Sequence, residues 1–295
     1  MTWHMFGTVL TPKAVAANNR GENEGSVSTL QKIIRDGEVY TTVSSEAIRY
    51  ALREVWQIED EDKLNRVVSH RGSTWKDTEF TNWQNYIDDD VLGYMNAREE
   101  TLSRRGALEI TRAVSTRPWA GTLSSNFASP RSNPGSMSND PIPYQVEIHD
   151  TRYQYSFAMT PASLSQNNEL RAEKTLRAIQ NLRRVAGNHA RFLFDFAPEV
   201  VVLRWTSDPA PRMLLCFDED NRGQISLQRL VTRVKGRDIE PQELIVGTAL
   251  EGIKGAEELK SLGVGIQMGI KAAFSELIGK FHPSASEAEN ASNDH

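Results

Sequence analysis

Residues Ala17 to Trp56 read ANNRGENEGSVSTLQKIIRDGEVYTTVSSEAIRYALREVW, and the order of their parts decides the fold. A short apolar run, Met5 to Leu10, enters a polar Asn- and Gly-rich connection carrying Arg20, and a strongly patterned helix follows. A hydroxyl at Ser44 or Ser45 can accept from the free N–H groups of a first helical turn, and Glu46 suits the positive end of the helix. Ala47, Ile48, Ala51, Leu52, Val55 and Trp56 recur with the helical period, which makes one face core. Arg49 and Arg53 stand four apart, which places them on the opposite face, within reach of an anion beside Arg20.

Working outward, Thr2 to Leu10 reads as a strand that Pro12 ends. Beyond the helix, taken as residues 45 to 56, the acidic run Glu59 to Asp62 marks a boundary as a solvated linker. Residues 59 to 106 mix aromatics and charges with few periodic apolar positions and read as an insertion. Ala107 to Ser115 is a weak strand. Gly121 to Pro143, GTLSSNFASPRSNPGSMSNDPIP, is a long connection poor in core residues, which in a compact domain is functional or disordered. Thr151 to Thr160 alternates as a strand, with Tyr153, Tyr155, Phe157 and Met159 on one face and Arg152, Gln154 and Ser156 on the other.

Leu170 to Ala186 reads as an amphipathic helix with Ala172, Leu176, Ile179, Leu182 and Ala186 inward and Arg171, Lys174, Arg177 and Arg184 outward. Strands are expected over Ala190 to Phe196 and Glu199 to Trp205, with Pro211 to Phe217 as a third at the edge. Gly252 to Phe281 is a Gly-interrupted helical region, in which Gly263 to Gly269 suggests close helix packing, and the last residues read as a disordered tail. Without the insertion and the long loop, a βαββαβ order remains. This is an α+β fold of the split βαβ, or ferredoxin-like, kind that RNA-recognition modules also use.

The apolar fraction, 39%, is ordinary for a globular protein. With one cysteine, Cys216, and six scattered histidines, neither a disulfide framework nor a zinc site follows from local spacing. No run is long and apolar enough to cross a membrane and no signal peptide opens the chain, so the reading is cytoplasmic, with no membrane partner. The net charge of −5 conceals an uneven distribution. Gln166 to Arg191 holds six basic residues against two acidic ones, whereas residues 238 to 295 hold ten acidic against four Lys. An acidic end masks a basic body.

Asn18, Asn19 and Gly21 suit a sharp turn with exposed backbone N–H groups, and with Arg20, Arg49 and Arg53 they can line a phosphate track. The same residues also read as plain turn formers and solvated arginines. Arg112, Arg117 and Arg152 lie on or beside strands, where one charged face can follow a nucleic-acid strand or stay solvated. His70 and Arg71 are a weaker candidate for a DNA or subunit contact. Asp88-Asp89-Asp90 is the sharpest enzymatic signal, since clustered carboxylates hold Mg²⁺ for phosphodiester cleavage. Successive side chains of one short segment seldom converge on one ion, however, and a helix cap or exposed turn is the expectation.

The stretches NNRGENEGSVSTLQKIIRDG and VYTTVSSEAIRYALRE, then Tyr86 to Met95 (YIDDDVLGYM) and His149 to Thr160 (HDTRYQYSFAMT), resemble the DevR family. Its members are the repeating, guide-RNA-binding backbone subunits of type I CRISPR surveillance complexes (Cascade), here of the I-B kind. The resemblance implies an RRM-like palm from residues 1–58, 107–118 and 149–281, a helical or irregular finger over 59–106 and a thumb over 119–148, followed by the tail 282–295. It implies an antiviral, non-catalytic role without metal or cofactor. The partners it implies are the CRISPR guide RNA, target DNA, further copies in a helical filament and other Cascade subunits.

On this resemblance the guide lies along Asn18, Asn19, Arg20, Ser45, Arg49, Arg53, Arg112 and Arg152, and a thumb folds over the guide of the neighbouring subunit. Trp119, Phe127 and Met137 are its candidate base wedges, with Arg131 as a phosphate contact. Two other classes stay open. One is a metal-dependent ribonuclease using Asp88 to Asp90. The other is an autoregulatory DNA-binding protein, for which no helix-turn-helix signal is present.

Overall fold

The computed structural model describes residues 1–17, 23–25, 27–69, 72–97, 101–128, 141–166, 168–186 and 193–282. Asn18, Asn19, Arg20, His70, Arg71, Arg131, Met137 and the tail from 283 onward lie outside them. A nine-stranded mixed sheet organises the chain. Its strands are β1 (His4–Leu10), β2 (Lys32–Arg35), β3 (Glu38–Val43), β4 (Leu108–Ile110), β5 (Ala113–Ser115), β6 (Tyr153–Met159), β7 (Val200–Thr206), β8 (Leu244–Thr248) and β9 (Gly265–Met268). The helices are α1 (Ser45–Asp60), α2 (Ile87–Leu92), α3 (Asn168–Gln180), α4 (Gln228–Lys235), α5 (Ala256–Ser261) and α6 (Ile270–Phe281).

The spatial order is β9-β8-β7-β1-β6-β5-β3-β2, with β4 also on β6. At the centre, β1 lies antiparallel between β6 and β7, with Met5 opposite Met159 and Trp205. Gly7 faces Phe157, and a Cβ on it would stand 2.2 Å from the Phe157 ring. Only glycine leaves room for that ring to lie over β1.

Alternation along the central strands sends side chains into two separate cores. Met5, Val9, Tyr155, Phe157 and Leu203 pack against Ile48, Leu52 and Trp56 of α1, Leu176 and Ile179 of α3 and Phe274 and Leu277 of α6. Phe6, Leu10, Val200, Val202 and Val246 pack on the other side against Met213, Cys216 and Phe217 and against Leu230 and Val231 of α4. The face of β6 expected to be polar is therefore buried as well. Gln154 bonds the backbone of Phe217 and Ser156 bonds Thr8, which satisfies their polar atoms inside the second core.

Several elements depart from the sequence reading. Ser44 caps α1 by accepting from the Ala47 amide at 3.3 Å, as expected, but the helix runs on through Glu59 and Asp60, and Glu61–Lys63 adds a 3₁₀ turn. The acidic run is thus a helix end, not a linker. Hairpin β2–β3 extends the sheet where none was anticipated, around a turn at Asp36 and Gly37 with positive φ at both.

Leu193 to Phe196 forms no strand. Phe194 and Phe196 instead insert beside Tyr153 as an aromatic cluster. Pro211 to Phe217 is likewise an irregular cover over the second core. Gly263 and Gly269 have positive φ and bracket β9, which pairs parallel to β8, so this glycine run turns the chain into and out of a strand. Among the described residues no helix is long and apolar enough to cross a membrane.

Candidate nucleic-acid interface

Helix α1 turns Ile48, Leu52 and Trp56 inward, which fixes the rest of its surface. Glu46, Arg49, Tyr50 and Arg53 then line a groove of about 730 Å³ whose other side carries Arg66 from the insertion and Arg184 from beyond α3. Ser45 is the first residue of the helix and half-buried, one position past the cap. The backbone amide of Glu46 itself holds the Glu46 carboxyl below the ordinary carboxylate range, helped by the Ser45 and Ser44 hydroxyls, so a negative charge sits at the helix start.

Arg49 is half-buried and its Nε has no hydrogen-bond partner. Arg53 was expected on the free face beside it, but the residue is only 8% exposed and pairs with Asp88 at 3.5 Å. Burial lowers the Arg53 pKa and the Asp88 charge opposes that shift. The cause of the difference is Asp88 of α2, which the insertion brings against Arg53.

Asp88, Asp89 and Asp90 form no exposed turn; each is 0–1% exposed. Asp88 accepts from the backbone amides of Asn65 and Arg66 at 2.9 and 3.0 Å. Asp89 accepts from the Asn65 side-chain amide at 2.7 Å through one oxygen, while the other has no partner. Desolvation and the neighbouring Asp88 push its pKa up to about 7. Asp90 accepts from Arg104 at 2.6 Å and from Arg171 of α3.

Arg171 was expected to be solvated on the outer face of its helix. It is instead 8% exposed, held by Asp90 and by the Gln84 carbonyl. Asp88 pairs with Arg53 and Asp90 with both Arg104 and Arg171, which bolts the insertion to α1 and α3, while Asp89 is held by Asn65. Among the described residues, no three His, Cys, Asp or Glu side chains are arranged to hold a metal ion.

The long polar connection begins and ends as a hairpin, Leu123–Ala128 against Ile142–Glu147, with Phe127 opposite Pro143. Val27–Ser28 of the opening stretch adds to it in parallel and Asn23–Glu24 continues the sheet, so the two stretches singled out in the sequence meet within one chain. Glu147 locks the joint by accepting from the Leu30 amide at 2.6 Å and from Lys32 at 2.7 Å.

Phe127 projects from this hairpin 71% exposed. Trp119 does not: its indole N–H donates to the Ile148 carbonyl at 2.9 Å, its backbone amide bonds Val39, and the Lys32 ammonium sits 4.3 Å from its ring centroid. Trp119 is a packing anchor at the hairpin base. Behind it His149 bonds Thr41 at 2.8 Å, and Thr41 bonds the Tyr153 hydroxyl. Burial pulls the His149 pKa down to about 4.

The remaining two arginines part company. Arg112 is exposed and bonds the neutral groups of Gln31 and Thr42 at 3.3 and 3.2 Å. Arg152 is spent on Glu199 and the Thr11 carbonyl, closing β1 to β7 at their end, so it is not a free strand-face cation. The structure brings Arg49 and Arg53 into one groove and leaves Arg112, Arg152 and Phe127 outside it. Sequence reasoning missed Arg66 and Tyr50, and it left Arg184 as a solvated helix residue. No local signal marks Arg66, whose place is set by Asp88, 22 residues away.

A family model described as CRISPR-associated negative auto-regulator DevR/Csa2 matches residues 13–188. A protein of Myxococcus xanthus (strain DK1622) described as CRISPR-associated protein Cas7/Cst2/DevR is 42% identical, over 92% of this chain and 96% of its own. The fold is similar to a chain of a CRISPR RNA-guided surveillance complex, with TM-score 0.59 and 17% identity over 95% of this chain and 99% of that one. It is also similar to a chain of such a complex in a pre-nicking state, with TM-score 0.64 and 13% identity over 94% and 99%. Family match and close relative together cover nearly the whole chain, insertion and hairpin included, and this chain belongs to the DevR/Csa2 family of CRISPR-associated proteins.

Proposed function

We propose that the chain is a non-catalytic, guide-RNA-binding backbone subunit of a CRISPR surveillance complex, arranged head to tail along the guide and presenting its bases to target DNA. The observation that carries this reading is the arginine-lined groove of α1, with an unpartnered Arg49 Nε, in a member of this family. Cations in a groove track a phosphate backbone without reading its sequence, as a subunit that must accept any guide requires.

The order β7-β1-β6-β5, all antiparallel, with α1 and α3 on one face, supports the reading of these elements as a ferredoxin-like palm. On it, residues 59–106 are the finger and 119–148 the thumb. The exposed Phe127 is the thumb's candidate wedge. A contact that each copy makes with the next through different surfaces generates an open filament, which suits a linear guide.

The ribonuclease reading has little support, because every carboxylate of Asp88 to Asp90 is buried among arginines and amides. Expression with and without a guide, followed by size-exclusion chromatography and nuclease treatment, tests the proposal. Oligomers that carry nuclease-sensitive RNA only when guide is supplied are expected. A monomer free of RNA in both cases at moderate salt overturns it, and RNA cleavage in Mg²⁺ or retention of duplex DNA without guide restores one of the alternatives.

A further inference from the structure

The groove beside α1 has a second wall that the guide-binding reading does not account for. Arg66 begins the hairpin Arg66–Ser69 with Gly72–Trp75. Its backbone amide is pinned by Asp88 and its guanidinium lies 5.2 Å from the Trp75 ring centroid. The Nε is buried without a hydrogen-bond partner. A planar guanidinium held over an aromatic face loses little freedom when it binds, which suits a fork-like grip on phosphate.

Arg66 lines the groove together with Arg53 and Tyr50. Arg49, Arg53, Arg66 and Arg184 outnumber Glu46 and Glu54 in the lining of the groove, and Asp88 forms its ion pair with Arg53, so the groove keeps a positive excess that favours an anion. Tyr50 is 39% exposed in the same groove, and Glu54 beside it is raised in pKa by burial. An aromatic face next to two guanidiniums is the composition of a site for one nucleotide unit.

Resting on the guide-binding reading, we infer that the insertion takes part in holding single-stranded RNA: Arg66 and Arg49 grip one phosphodiester from opposite walls while Tyr50 stacks on the adjoining base. The finger is then a clamp on the strand as well as an appendage of the palm. Its grip depends on the Asp88 bond that sets Arg66 in place.

The test uses the full chain and a labelled single-stranded RNA of mixed sequence, with binding measured across a salt series. Arg66→Ala is expected to weaken binding about tenfold and to make the salt dependence shallower by about 0.7 in log–log slope, one phosphate contact fewer. Arg66→Lys recovers the slope but only part of the affinity, because the fork is lost. Tyr50→Ala weakens binding with the slope unchanged, since stacking releases no counterion, and Tyr50→Phe binds as the wild type.

Thermal melts separate folding from binding, because the Arg66 amide that holds Asp88 survives in each Arg66 variant. If Arg49→Ala loses affinity while Arg66→Ala keeps both affinity and slope, the inference is overturned and the guide-binding reading stands. If the wild type itself fails to bind the RNA, the guide-binding reading falls and this inference with it.

Discussion

Asp88 and Arg53 form a buried ion pair at 3.5 Å across the seam between α2 and α1, and the same carboxylate accepts the Asn65 and Arg66 amides. One side chain thus neutralises a buried cation, satisfies two backbone donors and fixes where the insertion begins.

Asp88→Ala is therefore expected to cost about 3–5 kcal/mol, the usual penalty for stranding one member of a buried pair. Urea denaturation measures it. The double variant Asp88→Ala with Arg53→Met is expected to regain part of the loss, since the stranded charge is gone while the two amides stay unsatisfied. Equal stability of wild type and Asp88→Ala would show that the seam does not depend on this carboxylate.

The two strongly shifted buried groups have opposite pH signatures. Asp89 is raised from 3.8 to about 7, so the folded chain holds a proton that the unfolded chain has released, and its stabilising share is lost as pH rises from about 4 to 7. His149 is lowered from 6.5 to about 4, so its share is present above 6.5 and lost as pH falls toward 4. The two slopes oppose each other between pH 4 and 6.5. Asp89→Asn removes the first, and its melting temperature relative to wild type is expected to improve from pH 5 to pH 7.5. His149→Gln removes the second, so its relative stability improves as pH falls from 6.5 to 4.5. Parallel melting-temperature profiles for all three proteins would refute both assignments.

Gly7 and Phe157 make a prediction about the centre of the sheet. A methyl group at position 7 would stand 2.2 Å from the ring, so Gly7→Ala is expected to destabilise by about 1–3 kcal/mol through overpacking. Combining it with Phe157→Leu relieves the clash, and the pair is expected to be less unstable than the two separate costs together. Chemical denaturation of the four proteins of that cycle gives the coupling directly.

How far the chain can be read unaided follows from where each cause lies. The α1 cap and its core face are local, set by Ser44 and by apolar residues a few positions apart, and they were legible. The β6 pattern was legible as a strand, but its second buried face was not, because Phe217 and Thr8 arrive from distant parts of the sequence. The same holds at the site. Arg49 carries its position in the helical period, whereas Arg53, Arg171 and Arg152 look identical to solvated arginines until Asp88, Asp90 and Glu199 are brought against them.

Phe127 and Trp119 were proposed for the same task and the structure divides them. Phe127 lies 71% exposed on a hairpin and touches little, so Phe127→Ala is expected to change stability by less than about 0.5 kcal/mol. If the hairpin wedges between bases, that substitution weakens assembly on guide RNA nonetheless, which sedimentation with and without guide measures. Trp119→Ala removes an indole hydrogen bond to Ile148 and the ring beneath Lys32, so it is expected to destabilise by about 2 kcal/mol or more and to loosen the hairpin base. Its effect on assembly then tracks its effect on folding, and lowering the temperature restores it, whereas the Phe127→Ala defect persists. A Phe127→Ala protein that assembles as the wild type does would move the wedge away from this residue.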